Sequence, residues 1–106
     1  MKRLGQAAVS TGGGTTLYTV PTGYRTDMAD VLIANTGATP TTIALHIVPV
    51  GGSASTSNMM FPSVTIPANT LVQWTGTQHL NTGDFIKGVA GASGITVTIT
   101  GEEVRL

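Results

Sequence analysis

No cysteine occurs among the 106 residues, which excludes disulfides and thiolate zinc sites alike. Charge is nearly as scarce. Only 9% of residues carry it, against an ordinary share of about a quarter, and the five Lys and Arg balance the five Asp and Glu. Scattered cations in that number make no basic stripe for phosphates, so nucleic acid is not an expected partner. No apolar run approaches the roughly 18 residues that a membrane span requires. Met1-Lys2-Arg3 has the character of a signal-peptide start, but "LGQAAVSTGGG" supplies no apolar segment behind it, and the expectation is a protein made and kept in a cytoplasm. Nucleophile elbows of the G-x-S-x-G type, H-E-x-x-H zinc helices and Walker loops are all missing. "TGGGTT" has neither the lysine nor the helix onset of a phosphate cradle.

What the chain does have is glycine (14 residues), threonine and valine, a composition that favours strands joined by turns. Turn signals recur at 12–14, 21–23, 35–40, 51–58, 67–69, 81–83 and 91–94, the spacing of an all-β sandwich or barrel. Pro21 and Pro67 suit the second position of type I or II turns. "GITVTITG" sets Ile95, Val97 and Ile99 against Thr96, Thr98 and Thr100, the alternation of a half-buried strand. "TTIALHIVPV" repeats it with Ile43, Leu45 and Ile47, while "TLVQWTG" sets Val72 and Trp74 against Leu71 and Gln73. In "LYTVPTGYRTDMADVLIANTG" the phase slips: Tyr24, Thr26 and Met28 share one face, and Val31 and Ile33 fall on the other. A bulge near Ala29-Asp30 would bring both apolar sets inward. The expectation is a single-domain antiparallel β-sandwich, jelly-roll-like, of about eight strands, over residues 15–106, with residues 1–14 as a flexible N-terminal arm.

Candidate chemistry is thin. His46 falls at an outward-phased position in a strand and His79 just before a turn, both read as structural or surface histidines. Asp27 and Asp30, three apart on a strand, lie on opposite faces unless the bulge intervenes, and a cation between copies is the only metal role they offer. Arg25 and Asp27 share a face as a modest ion pair. Asp84 after Gly83 reads as turn chemistry, and the adjacent Glu102 and Glu103 diverge. Trp74, the single tryptophan, reads as a core residue. No cofactor and no catalytic set are expected. Contact residues are expected instead: Met59, Met60 and Phe61, adaptable apolar side chains after a polar loop; Lys2, Arg3 and Leu4 on the arm; Val104 and Leu106, where "TGEEVRL" extends the last strand or joins a neighbour's sheet edge.

Two runs, "LYTVPTGYRTDMADVLIANTGATPTTIALHIVPVGGSAST" and "IPANTLVQWTGTQHLNTGDFIKGVAGASGITVTITGEEV", resemble small virion proteins of tailed bacteriophages. The motifs concerned are the Leu17 to Arg25 opening, the Asn35 to Gly37 turn, the Thr42 to Gly51 strand, the Leu80 to Ile86 segment and the closing Thr96 to Glu102 strand. The resemblance implies a non-enzymatic β-sandwich virion component that acts as repeated copies, as a trimer or higher. It would decorate or cement the capsid or collar beside the major capsid protein or a neck or tail protein, and assemble in the host cytoplasm, where disulfides are rarely available. Tail, baseplate or fibre placement is the variant. A host-glycan-binding module, with Trp74, Tyr18, Tyr24 or Phe61 as a stacking platform, is the alternative from another class.

Overall fold

Alternation is the organising signal of the fold, and each inward set of side chains finds a facing set. The computed structural model describes residues 2–9, 14–53 and 55–106; the side chains of Lys2, Thr56, Phe61 and Pro62 lie outside that description. Eight strands follow in order: β1 (Lys2–Ala8), β2 (Thr15–Thr19), β3 (Tyr24–Asn35), β4 (Thr41–Val48), β5 (Met59–Ile66), β6 (Thr70–Leu80), β7 (Phe85–Ala90) and β8 (Ile95–Arg105). They form two four-stranded sheets, ordered β1-β8-β3-β6 and β2-β7-β4-β5, with antiparallel pairing throughout. Apart from β4 and β5, consecutive strands lie in opposite sheets. That is the jelly-roll arrangement of a double-sheet sandwich.

The core lies between the sheets. Ile95, Val97 and Ile99 of β8 face Ile43 and Leu45 of β4 and Ile86 of β7, all fully buried. Their outward neighbours Thr96, Thr98 and Thr100 are half-buried, as the period of two demands. Burying each of these Val or Ile side chains contributes about 1.5–3 kcal/mol.

The phase slip in β3 is a bulge. Met28 pairs with Gly101 and Asp30 with Thr100, so Ala29 has no partner on β8. One extra residue restores the inward phase, and Thr26, Met28, Val31, Ile33 and Asn35 are all buried. Against β6 the same place holds Ala29 opposite two residues, Gly76 and Thr77. The bulge also moves Asp30 onto the outer face with Asp27.

Two expectations change, the N-terminal arm and the positions of Pro21 and Pro67 in their turns. Within the expected arm, Lys2–Ala8 is a sheet strand paired to β8 from Lys2–Gly101 to Ala8–Thr96, and Val9 is buried. Leu4 and Ala7 pack against the core, which is why that segment stays on the sandwich. Residues 10–13 of the glycine-rich stretch lie outside the described residues. Pro21 opens its turn rather than taking the second position, since Tyr24 N–H donates to the Pro21 carbonyl at 3.2 Å; the turn's left-handed residue is Gly23, at φ 86°. Around Pro67 the turn residues are Ala68 and Asn69, with Asn69 at φ 52°. His46 faces away from the core, as its phase requires, yet is buried, because the chain between β4 and β5 folds back over the outer side of β4.

Candidate interaction surface

The two histidines and most of the acids are accounted for by local structure. His46 Nδ1 lies 3.0 Å from both the Ser55 carbonyl and Asn58 Oδ1. Two acceptors at one nitrogen require that nitrogen to carry the proton. Asn58 in turn accepts from Ser55 N–H and donates to the Ser53 carbonyl. His46 is therefore the pin that holds the 49–58 connection and its short 3-10 turn (Thr56–Asn58) over β4.

His79 is exposed on β6, with Nδ1 2.6 Å from Asp27 Oδ1; Arg25 Nη1 is 3.5 Å from the same oxygen. Glu102 sits opposite Asp27 on β8. Asp30, brought to this face by the bulge, accepts from Gln73 at 2.9 and 3.1 Å. The outer face of the first sheet thus carries a short row of charges across three strands. No group of three or more ligating side chains among the described residues is placed to hold a metal ion. Glu103 diverges from Glu102: its carboxylate accepts a 2.5 Å hydrogen bond from the Tyr18 hydroxyl, and Thr26 makes a 2.8 Å contact to the same hydroxyl. Burial first, then the Glu103 hydrogen bond, push the Tyr18 phenol up to about 12.

The ends of the sandwich are tied by polar caps. Asp84 accepts from the backbone N–H groups of Asn81 and Val50, and the Thr82 hydroxyl donates to the Tyr24 carbonyl. At the opposite end, buried Asn35 donates to the Thr39 and Ile66 carbonyls and accepts from Gly37 N–H, tying the 36–40 loop to the end of β5. An open cleft of about 340 Å³ beside it is lined by Ala34, Asn35, Thr36, Asn69, Thr70 and Leu71, a set without an ionisable side chain.

The expected contact residues divide. Met59 and Met60 are half-buried in β5, and Met60 packs against the core, so the "NMMF" segment is in part sandwich interior. The side chains of Phe61 and Lys2 lie outside the described residues. Arg3 is exposed and Leu4 is turned toward the core. Val104 continues β8 opposite Arg25, and Leu106 is 76% exposed with its N–H donating to the Gly23 carbonyl.

Sequence reasoning missed the flank where β5 and β6 run as the free edges of the two sheets. A slot of about 160 Å³ opens there, lined by Ile33, Val64, Ile66, Val72, Gln73 and Trp74. Trp74 is half-buried, at the margin of the core rather than its centre. Its indole lies so close over Gly76 that a Cβ there would come within 2.9 Å of it. Val64 of the slot's lining is exposed, and Leu71 stands exposed on the outer face of β6. The available signal was β6 itself, a long strand of neutral residues with apolar side chains on both faces. Comparison with protein-family models gave no match to this chain, and comparison with curated proteins gave none.

Proposed function

We propose that this chain is a non-enzymatic structural protein of a bacteriophage virion. It decorates or cements the capsid or collar through contacts with copies of itself and with a neighbouring particle protein. The observation that carries the reading is the strand order, β1-β8-β3-β6 over β2-β7-β4-β5, since double-sheet jelly rolls are an architecture of viral capsid domains. The sequence resemblance described above supports it, and so does the scarcity of charge, which suits a surface covered by neighbours. Lectins share this architecture. A glycan platform, however, needs an exposed aromatic face, and Trp74 is half-covered while Tyr18 turns its hydroxyl inward to Thr26 and Glu103.

The test is a side-chain-resolution reconstruction of the particle that contains this chain. Density on the capsid lattice or collar is the expected result. Density confined to tail, baseplate or fibre moves the role to tail assembly or adsorption. Absence from every particle overturns the virion reading and puts the glycan-binding module first.

A further inference from the structure

Four strands are sheet edges: β1 and β6 in one sheet, β2 and β5 in the other. An edge offers a row of unpaired N–H and C=O groups to any passing strand, and natural sheets blunt it with shortness, charge, proline or bulges. Three of the four edges carry such devices. β2 has five residues and a register shift between Thr16 and Tyr18. β1 opens with Lys2 and Arg3 and shifts between Arg3 and Gly5. β5 contains Pro62, which has no N–H to donate, and shifts twice against β4.

β6 is the exception. It is the longest of the four edges at 11 residues and contains no Asp, Glu, Lys, Arg or Pro. Its irregularity is confined to Gly76 and Thr77. Residues 70–75 pair with 30–35 one for one, and among the described residues no second strand runs beside this regular, uncharged stretch. Leu71, 58% exposed, lies within it, as do Val72 and Trp74 of the apolar slot.

We infer that two copies of this chain join antiparallel through residues 71–75 of β6, about a two-fold axis at Gln73, making one eight-stranded sheet across the pair. The inference rests on the self-association part of the function proposed above and names its edge. A neutral edge fits a neutral strand, and the same five residues of a second copy supply one. A two-fold axis normal to the sheet keeps outer faces together, so opposed residues must share a face. With Gln73 opposite its own counterpart, Val72 faces Trp74 on the inner side twice over, and Leu71 faces Thr75 on the outer side. The inner pairs are aromatic against β-branched, a favourable cross-strand combination, and they carry the core across the slot. Asp30 is the nearest carboxylate, one strand back and held by Gln73. Its counterpart lies three strand spacings across and four residues along, roughly 19 Å away, beyond the screening length of about 8 Å at physiological salt. This contact builds a two-fold pair, where the resemblance implies a trimer or higher; any larger assembly needs a further contact.

The absence of cysteine gives a background-free test on the full purified chain. A Gln73→Cys variant is expected to form a covalent dimer under mild oxidation. A Leu71→Cys variant is expected to stay monomeric on denaturing gels, because its counterpart sits four residues along, roughly 13 Å away; adding Thr75→Cys should restore the link. In sedimentation velocity the unmodified chain should run as a dimer and Gln73→Lys as a monomer with an unchanged circular-dichroism spectrum and a melting transition that is still cooperative. Failure of Gln73→Cys to cross-link, equal linking by Leu71→Cys, a monomeric unmodified chain, or a dimer untouched by Gln73→Lys would each overturn the pairing. These readouts use the isolated chain, so they fail independently of where the chain lies on a particle.

Discussion

Gly101 shows how a single position can be dictated by its neighbours. It is buried on β8 opposite the β3 bulge, and a Cβ there would run into the Asp27 carbonyl and come within 2.9 Å of the Met28 Cα. Both obstacles are backbone, which cannot swing away as a side-chain tip can. Gly101→Ala is expected to cost about 2 kcal/mol or more by overpacking, read as a lower urea midpoint with an unchanged m-value. Tyr18 makes the residue-scale case in electrostatics. Its phenol is raised from an ordinary 10.0 to about 12, by burial first and the Glu103 hydrogen bond second. Between those two values the unfolded chain has released the proton and the folded chain retains it. The stability this group contributes is therefore complete below pH 10 and falls as pH rises toward 12. Absorbance titration at 295 nm should place the Tyr18 step near 12, and Glu103→Gln should bring it down by replacing a carboxylate with a neutral, weaker acceptor.

At the scale of the element, β3 and its bulge carry the most information. The strand spans both halves of the first sheet, paired on one side with β8 and on the other with β6. Its inward set includes Thr26, Met28, Val31 and Ile33 only because Ala29 is extra. Removing that residue would force one half of the set onto the solvent face, since a shift of one reverses every side chain beyond it. Deletion of Ala29 is expected to abolish cooperative thermal unfolding and the near-ultraviolet signal of Trp74; a deletion variant that melts with the original Tm would count against the bulge. The bulge was legible in the sequence as two apolar sets out of phase. The burial of His46 was not, because period-two reasoning assigns a face but does not say what covers it. The cover came from residues 49–58, a stretch whose composition shows only a polar loop.

For the whole molecule, the decisive feature is that each sheet draws strands from distant parts of the chain. β1 and β8 bring the first and last elements side by side, and Val9 closes the core just beyond β1. Deleting residues 2–9 therefore reaches the fold as well as any contact outside it. The loss of the buried Val9 and of the Leu4 contact should cost at least about 3 kcal/mol, and exposing the β8 edge should make the shortened chain prone to aggregate. The measurement is the melting temperature of the truncated chain beside its light scattering. A stable, soluble truncation with an unaltered Tm would show that β1 contributes little.

Local pattern alone was enough to assign the fold class. Alternation in "GITVTITG" and "TTIALHIV" assigned strands and inward faces, glycine, proline and asparagine clusters placed the turns, and the phase slip located the bulge, because each of these is a local property of consecutive side chains. Which strands became neighbours and which were left as edges was settled by long-range pairing. Lys2–Ala8 looked free because nothing beside it in sequence pairs with it; its partner is β8, some ninety residues away. The β5–β6 flank was hidden for the same reason, since an edge is defined by the absence of a partner, and partners are chosen in space.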